Sequence, residues 1–469
     1  MKAFSEQPKE ALKAQLSVLS EQYAAYKAKK LSLDMSRGKP CPEQLALTLR
    51  MLDCVNEKDG YLTENGVDTR NYGLLDGIPE AKRLLAAMMG VPEDTVIVGG
   101  NSSLNMMFDY IAGAFAKGVC GGKPWLMQGE VKFLCPVPGY DRHFAITEFF
   151  GAKLVCVPMT GDGPDMDAVE EYVKDPTVKG IWCVPMYSNP DGITYSDETV
   201  RRFAALRPAA EDFRIMWDNA YCVHHLYDTG DRLLNLYEEA KKQHNEDIVI
   251  QFTSTSKISF PGSGMAALAA SPCNLADIKS RMTVQTIGHD KLNMLRHARF
   301  FKDIDGIHAH MREHAEILRP KFELVLRVLS EQLADTGIAQ WHTPRGGYFI
   351  SVNLMDGCAK EVHRLLKEAG VTMTAAGATY PYGDDPHDSN LRIAPSFPPL
   401  SELQTAMELF CICAKIAAIR KLLEKNASKH RFFEKVNGSP LTFFVFSSII
   451  NLLAQCRPAS REMHLEDVG

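Results

Sequence analysis

Short apolar runs alternate with segments of helical spacing along most of the chain. Continuous apolar runs bounded by turn residues are typical of strands that are buried on both faces of a parallel sheet. The alternation therefore predicts an α/β fold with a mostly parallel central sheet flanked by helices. The predicted strands are residues 95–98, 153–158, 180–184, 213–217 and 247–252, and the predicted helices are residues 79–89, 104–115, 166–173 and 198–206.

The pattern changes towards both ends of the chain. Residues 290–333 form one long stretch of helical periodicity, and residue 344 begins a second, smaller α+β lobe that ends in helices at residues 400–423. Residues 1–30 have a charged amphipathic pattern, which predicts an initial helix. We therefore expect a large lobe and a small lobe.

The composition is that of an ordinary globular protein. The 469 residues are 45% hydrophobic and 23% charged, with a formal net charge of -6. Because no long basic block is present, we expect no nucleic-acid partner and a small-molecule substrate. The start of the chain lacks the apolar core of a signal peptide, and the apolar run 443–454 is too short for a membrane span, so no membrane partner is expected.

The 12 cysteines are scattered, with no CxxC pair and no histidine cluster of metal-ligand spacing. This usage predicts free thiols in a reducing cytoplasm and no metal site.

Polar residues follow several of the predicted strands, at the point where each strand ends. Ligands collect at the carboxyl ends of parallel strands, so these residues are candidates for a binding site. Each has an ordinary alternative: Asn189 lies in a turn sequence, Asp218 is suited to cap a helix, and Tyr140 is suited to fill the core. Their joint occurrence favours a site, for which the candidates are Tyr140, Asn189, Asp218, Tyr221 and Lys257.

Lys257 is the candidate around which the others are arranged. It follows the apolar run 248–250 and a run of serine and threonine, and Pro261-Gly262 closes the segment. Partial burial at such a strand end lowers the pKa of an amine and lets it form a Schiff base with an aldehyde. The alternative is a surface lysine in a hydroxyl-rich turn.

Three further segments suggest anion binding. Residues 99–103, Gly-Gly-Asn-Ser-Ser, join a strand to a helix, where backbone amides and the helix dipole bind phosphate. The same residues are also good helix caps, and no GxGxxG motif favours a dinucleotide fold. Arg392 lies in an apolar context and needs either a structural carboxylate or a carboxylate ligand. Arg37 and Lys39 flank Gly38 in a loop that is otherwise a solvated connection.

Together these residues resemble the class I/II aminotransferases, the pyridoxal-phosphate enzymes of the aspartate aminotransferase fold. The resemblance runs from about residue 31 to about residue 423. It is most specific, to a bacterial-type aspartate aminotransferase subgroup, at residues 71–77, 99–103, 187–192 and 253–262. It implies an N-terminal segment of the small lobe at residues 1–60, a large cofactor-binding lobe at 61–315, a C-terminal small lobe at 316–429, and a tail of unknown role at 430–469.

The resemblance implies pyridoxal 5'-phosphate as the cofactor, held by Lys257 as a Schiff base. Lys257 would also move the proton between the substrate α-carbon and the cofactor. Asp218 would keep the pyridine nitrogen protonated. Asn189 and Tyr221 would bind the phenolic oxygen of the ring, and Tyr140 would stack on its face. Lys257, Asp218 and Tyr221 are the implied catalytic residues.

The implied phosphate seat consists of Gly100, Asn101, Ser102 and Ser254. Tyr72 would reach this phosphate from a neighbouring subunit, which implies a homodimer with shared active sites.

One departure from the family concerns the phosphate. In many members an arginine follows the lysine by about eight residues, but Ser263, Gly264 and Met265 stand in that neighbourhood here. Lys291 and Arg296 are candidates to supply the charge.

The resemblance also implies the substrate contacts. Arg392 would grip the α-carboxylate with two hydrogen bonds, beside Asn189 and under the backbone of Gly38. A dicarboxylate substrate needs a second cation, for which Arg37 and Lys39 are predicted. The other candidates are Arg142, Lys291 and Arg296.

The predicted function is an aminotransferase that moves an amino group between an amino acid, here aspartate, and a 2-oxo acid, here 2-oxoglutarate, in a ping-pong cycle. A lyase or decarboxylase on the same scaffold would use the same residues to break a different bond. The residues also leave open a cofactor-sensing regulatory protein and a plain structural protein.

Overall fold

The computed structural model describes residues 3–437. Its α-helices are α1 (Lys9–Ala28), α2 (Pro42–Leu47), α3 (Pro79–Met89), α4 (Ser103–Lys117), α5 (Asp141–Phe149), α6 (Met166–Tyr172), α7 (Asp197–Ala205), α8 (Leu236–Lys242), α9 (Pro272–Gln285), α10 (Lys291–Phe301), α11 (Ile304–Leu333), α12 (Ala359–Glu368) and α13 (Leu400–Asn437). Its strands are β1 (Leu33–Asp34), β2 (Val96–Val98), β3 (Lys132–Val137), β4 (Lys153–Thr160), β5 (Gly163–Pro164), β6 (Val178–Cys183), β7 (Arg214–Asp218), β8 (Val249–Ser254), β9 (Ala266–Ala270), β10 (Ala339–Trp341), β11 (Ile350–Leu354), β12 (Val371–Thr372) and β13 (Asn390–Ile393).

An eight-stranded sheet forms the centre of the larger lobe, in the order β2-β9-β8-β7-β6-β3-β4-β5. The inner strands β8, β7, β6, β3 and β4 run parallel, whereas β9 is antiparallel to β8, β2 to β9, and β5 to β4. The predicted α/β fold with a mostly parallel central sheet is confirmed. In the register of β7 and β8, Asp218 lies opposite Phe252, so the ends of these strands meet at one edge.

The central strands are buried because helices cover both faces of the sheet. Every residue of β6, β7 and β8 is buried, as expected for near-continuous apolar runs in a parallel sheet. Helices α4, α5 and α9 pack on one face and α6, α7 and α8 on the other. The rigid sheet thereby fixes the loops at its carboxyl edge.

The smaller lobe contains the antiparallel sheet β10-β11-β13 and the parallel pair β1-β12. The predicted N-terminal helix is present as α1, which packs against α13. Leu33 of β1 pairs with Val371 of β12, so the start of the chain is part of this lobe. The exact lobe boundaries stay predictions.

The helical stretch predicted at residues 290–333 consists of two helices rather than one. Lys302 takes a positive φ of 66° after α10, and the Asp303 side chain then caps α11 by accepting a hydrogen bond from the Gly306 amide. This sharp turn carries no proline or glycine at the break itself, which is why the periodicity alone joined the two helices. None of the helices within residues 3–437 is long and apolar enough to span a bilayer.

The final helix also differs from the expectation. It is a single element, α13, which passes the predicted boundary at residue 429 and continues to Asn437. The rest of the predicted tail, residues 438–469, lies outside the described residues.

Candidate active site

A cavity of about 490 Å3 opens at the carboxyl edge of the central sheet. Val184 directly after β6, Asp218 at the end of β7 and Ser254 at the end of β8 line it, because parallel strands bring their carboxyl ends to the same edge. Phe349 and Arg392 of the smaller lobe close one side. The residues predicted from the sequence that line this cavity are Arg37, Gly38, Ser102, Tyr140, Arg142, Asn189, Asp218, Tyr221, Ser254, Lys257 and Arg392.

Lys257 is a cavity residue and not a surface lysine. Its Nζ atom lies 5.0 Å from the centre of the Tyr221 ring and 5.9 Å from that of Tyr348. Burial lowers the pKa of the Lys257 amine, and the Arg392 charge acts in the same direction, while Asp218 opposes the shift. The amine therefore loses its proton more readily than an ordinary lysine, as a nucleophile or general base requires.

Asp218, the last residue of β7, has one carboxylate oxygen paired and one unpaired. Its Oδ2 lies 3.0 Å from Nε2 of His143, whose ring stacks on Trp182 with centroids 4.5 Å apart. Its Oδ1 is buried without a hydrogen-bond partner among the described residues. A buried acceptor without a hydrogen bond destabilises the fold, so we expect a bound group to donate a hydrogen bond to this atom. The protonated ring nitrogen of pyridoxal phosphate fits that requirement.

Two tyrosines face the same cavity. Burial raises the pKa of Tyr140 to about 12, and burial also raises the pKa of Tyr221 well above its ordinary value. Both phenols therefore keep their protons and are able to donate hydrogen bonds. Tyr140 also lies edge-on to His143, with ring centroids 4.8 Å apart.

Arg392 is buried in β13 with most of its donors committed. It donates to Asn189 Oδ1 at 3.0 Å and to Thr374 Oγ1 at 3.1 Å, and lies 3.4 Å from Asp141 Oδ1. Its Nε is buried with no partner among the described residues. The sequence left open a structural carboxylate or a carboxylate ligand as the partner of Arg392. The structure shows a structural carboxylate, Asp141, close by, and the Nε–H donor is still available for a carboxylate ligand. The bond to Asn189 Oδ1 also turns the Asn189 amide nitrogen towards other acceptors.

Gly38 stands where no side chain would fit. A Cβ at this position would lie 2.6 Å from Cζ of Phe349, whose ring is 4.7 Å from the Arg392 guanidinium carbon. The backbone of the loop can therefore approach the cavity closely. This agrees with the backbone role that the resemblance implied.

The start of α4 lines the same cavity as Lys257, where an anion seat was predicted. Ser102 caps the helix by accepting a hydrogen bond from the Leu104 amide at 3.2 Å. The cavity wall there consists of Ser102, Ser103, Ser254 and Ser256 together with the helix start. Helix amides and hydroxyls of this kind suit a phosphate group.

Gly100 and Asn101 lie on the other side of this wall. They line a neighbouring cavity of about 440 Å3 that also contains His289. The Asn101 carbonyl accepts a hydrogen bond from Ser256 Oγ at 3.3 Å. Asn101 thus contacts a residue of the cavity wall, but neither Gly100 nor Asn101 lines the cavity of Lys257 itself.

Several candidates do not reach the cavity. The Tyr72 side chain is 79% exposed, as expected of a residue whose predicted role is in a neighbouring subunit. The Lys39 ammonium lies 3.8 Å above the Phe397 ring, away from the cavity wall. Neither Lys291 nor Arg296 lines the cavity; Arg296 instead donates to Ser263 Oγ and to Asn293 Oδ1.

Sequence reasoning missed several residues that shape the site. His143, Asp141 and Thr374 contact Asp218 or Arg392, and Ser103 and Ser256 line the cavity beside the predicted phosphate seat. For Ser103 and Ser256 a signal was present, because each neighbours a predicted seat residue. For His143 no local signal existed, since its partners Asp218 and Trp182 come from distant strands.

The family of the chain follows from its similarity to known proteins. A family model described as aspartate amino-transferase matches residues 7–426. The chain belongs to the aspartate aminotransferase family. It is therefore a transferase, and the predicted fold and enzyme class are confirmed.

Two relatives and one solved structure are similar to this chain over nearly their whole length. The chain is 45% identical over 424 residues to a putative aminotransferase of Mycolicibacterium smegmatis, covering 90% of this chain and 99% of that protein. It is 45% identical over 401 residues to an aspartate aminotransferase of Corynebacterium glutamicum, covering 85% and 93%. The solved structure of an aspartate transaminase from C. glutamicum superposes with a TM-score of 0.87 at 43% identity, covering 90% of this chain and 99% of that one. None of these similarities favours a lyase, a decarboxylase, a sensor or a structural protein.

Proposed function

We propose that this aminotransferase uses pyridoxal 5'-phosphate bound at Lys257 to move the amino group of aspartate to 2-oxoglutarate in a ping-pong cycle. The observation that carries the proposal is the joint placement of Lys257, Asp218 and Arg392 on one cavity of about 490 Å3. A nucleophilic amine, a buried carboxylate with an unpaired oxygen and a carboxylate-binding guanidinium are the groups that such chemistry requires.

The residues that would hold the cofactor fit its parts. Asp218 Oδ1 would accept from the ring nitrogen, and Tyr221 and the Asn189 amide would donate to the phenolic oxygen. Tyr140 would stack on the ring. The phosphate would rest on the α4 helix start with Ser102 and Ser254, with Gly100 and Asn101 supporting that seat. When bound, the cofactor supplies an electrophilic carbon and a ring that withdraws electrons from the substrate α-carbon.

Within this site Lys257 is the base. Because its pKa is lowered, the Lys257 amine is able to accept a proton. Nζ would take the proton from the substrate α-carbon and pass it to the cofactor. His143 holds the Asp218 carboxylate from the opposite side, so that its unpaired oxygen keeps one direction. The tyrosine hydroxyls stay protonated and donate throughout.

Arg392 and Gly38 orient the substrate. The Arg392 Nε, which is buried without a partner among the described residues, would bind the α-carboxylate, and the Gly38 backbone would close over it beside Asn189. This contact serves any α-amino acid and fixes which hydrogen faces Lys257.

Cations on the rim of the cavity are suited to bind the side-chain carboxylate of a dicarboxylate substrate. Arg37 and Arg142 both line it, and neither guanidinium makes a hydrogen bond or ion pair with another described residue. Lys39 was predicted with Arg37, but its contact with Phe397 makes Arg142 the stronger candidate. Two unpaired arginines in addition to Arg392 favour a dicarboxylate such as aspartate or 2-oxoglutarate.

A homodimer with shared sites is part of the proposal. Tyr72, Val284 and Ile287 expose large apolar side chains, at 79%, 90% and 63%. The backbone segments of Tyr72 and Ile287 lie close together, because a Cβ at Gly288 would be 2.6 Å from the Gly73 carbonyl oxygen. Such an exposed patch marks an interface, and a second copy covering it would bring Tyr72 towards the partner's phosphate seat. Residence in the cytoplasm agrees with the free thiols found among residues 3–437.

The test is a coupled assay of the purified protein with cofactor, aspartate and 2-oxoglutarate. We expect oxaloacetate and glutamate to form in equal amounts. Double-reciprocal plots of rate against aspartate at several 2-oxoglutarate concentrations should be parallel. Release of carbon dioxide or ammonia without glutamate would refute amine transfer.

A further inference from the structure

A circuit of buried polar side chains lies behind Lys257. On one side the Tyr348 hydroxyl donates to the Lys257 carbonyl at 3.3 Å. The Gln44 amide nitrogen donates in turn to the Tyr348 oxygen at 2.9 Å. Both side chains are fully buried. The backbone carbonyl of Lys257 is thus held by Tyr348 and, through it, by Gln44, two residues that lie far from it in sequence.

From Gln44 the contacts continue to two histidines of α11. Gln44 Nε2 lies 2.9 Å from His314 Nδ1, and His314 Nε2 lies 3.1 Å from His310 Nε2. His310 Nε2 lies 2.9 Å from the Ile258 carbonyl. The two histidines stand four residues apart on α11, hence on one face of the helix. His310 Nε2 is one ring nitrogen and cannot both accept from His314 Nε2 and donate to the Ile258 carbonyl. The hydrogen-bonded chain that reaches the Lys257 carbonyl therefore runs from His310 through His314, Gln44 and Tyr348.

The histidines of the circuit are neutral. The Gln44 oxygen accepts from the Cys41 amide, so its nitrogen faces His314, and His314 must accept at Nδ1. A protonated His314 would set two donors against each other there. Burial lowers the pKa of His314 to about 3 and lowers that of His310, so neither ring carries charge in neutral solution.

The elements that meet in this circuit bury polar groups against one another, and the Gln44 oxygen has a separate role, as the cap of α2. Gln44 belongs to α2, which directly follows the Gly38 loop, His310 and His314 belong to α11, and Tyr348 precedes β11. A purely apolar contact between these elements would avoid the cost of burying amide, imidazole and phenol groups. This chain of polar groups ends on the backbone of the reactive lysine, through the Tyr348 hydroxyl.

We propose that His314, His310, Gln44 and Tyr348 are positioning residues that hold the Lys257 backbone and so direct its amine at the reacting carbon. The inference rests on the proposed role of Lys257. A fixed Lys257 backbone would keep the Nζ atom in place while bonds to it form and break. Displacement of a reacting group by about 1 Å costs a rate factor of about 100.

The test uses two variants that act on opposite sides of the circuit. His314→Leu removes one imidazole, and Tyr348→Phe removes a single hydroxyl, a change small enough to preserve the fold. His314→Gln is the conservative variant, since its amide is able to bridge Gln44 and His310. His225→Asn is the matched control, a histidine that contacts Tyr187 outside the circuit.

The cofactor-free protein reports positioning without catalysis. Hydrogen exchange in the peptide spanning residues 253–262 is expected to be about tenfold faster in His314→Leu and Tyr348→Phe than in the wild type or His225→Asn. With cofactor bound, the pH midpoint of the visible absorbance is expected to move. The kcat is expected to fall by about 10- to 100-fold, with the KM for aspartate nearly unchanged, and His314→Gln should recover much of each property.

Two outcomes would overturn the inference. One is a lower melting temperature in both variants with unchanged exchange, absorbance midpoint and kcat, which would make the circuit merely structural. The other is equal effects from His225→Asn. Failure of the proposed function would differ from both, because the wild type itself would then show no visible absorbance with pyridoxal phosphate and no amine transfer.

Discussion

His143 Nε2 lies 3.0 Å from the Asp218 carboxylate, with both side chains almost completely buried. The contact fixes the direction of the one carboxylate oxygen that has no other partner among the described residues. Because Trp182 stacks on the His143 ring, the histidine has little freedom to follow if the carboxylate moves. Asp218 is thus presented to the cavity by a rigid support.

Replacing His143 tests this support. His143→Leu leaves Asp218 Oδ2 without its donor, so the free energy of unfolding of the cofactor-free protein is expected to fall by about 1–3 kcal/mol. Cofactor affinity is expected to fall as well, because the Asp218 carboxylate is no longer held in place. Urea denaturation and a cofactor titration measure the two effects. His143→Asn, which keeps a donor, is the control, and wild-type values in His143→Leu would contradict the role.

Arg392 is expected to provide most of the binding energy of the α-carboxylate. Arg392→Ala should weaken the binding of a non-reacting dicarboxylate by about 2–5 kcal/mol, the range seen when a buried charge pair loses one partner. Calorimetry on the holoenzyme measures it. Asp141→Asn removes the structural carboxylate near Arg392 and serves as control. Unchanged affinity in Arg392→Ala would make Arg392 a structural residue.

The rim arginines are expected to select dicarboxylates. Arg142→Gln and Arg37→Gln should each lower kcat/KM for aspartate by about 10- to 100-fold, because each removes a charged hydrogen bond, and should leave alanine turnover nearly unchanged. Lys39→Gln is the matched control, since Lys39 faces Phe397. If the ratio of aspartate to alanine activity stays at the wild-type value in both arginine variants, the second carboxylate binds elsewhere.

Asp191 makes stability depend on pH. Burial raises the pKa of its carboxyl to about 6, and its Oδ1 has no partner among the described residues. The folded protein holds this proton between about pH 4 and 6 while the unfolded chain releases it, so rising pH destabilises the fold by up to about 3 kcal/mol through this group.

The variant Asp191→Asn removes that contribution. Its free energy of unfolding should exceed that of the wild type at pH 8, and the difference should shrink towards pH 4. Asp197→Asn, at an exposed helix start, is the control. Denaturation curves at several pH values measure the difference, and one that stays constant with pH would contradict the assignment.

The sequence predicted the fold class and most cavity residues because their signals are local. Apolar runs such as Val249–Ser254 report strands buried on both faces, and the topology of a parallel sheet then collects the residues at their ends. The strand β9 was missed because its sequence, Ala-Ala-Leu-Ala-Ala, has low strand propensity and becomes a strand through its two neighbours. The strand β3 was missed because Pro136 interrupts its apolar run.

Contacts between distant segments could not be predicted in the same way. His143 meets Asp218, and Gln44 meets His314 270 residues away, only after the lobes have packed. The sequence favoured Lys39 over Arg142 because Lys39 flanks Gly38, but in the structure Lys39 lies over Phe397 and Arg142 lines the cavity.

The central claim is that the cofactor bonds covalently to Lys257. It is tested most directly by reducing the holoenzyme with borohydride and locating the pyridoxyl group by peptide mass spectrometry. The account predicts a single labelled residue, Lys257, and no label in Lys257→Ala, whose fold should persist. A label on another lysine such as Lys291, or no label at all in the wild type, would contradict it.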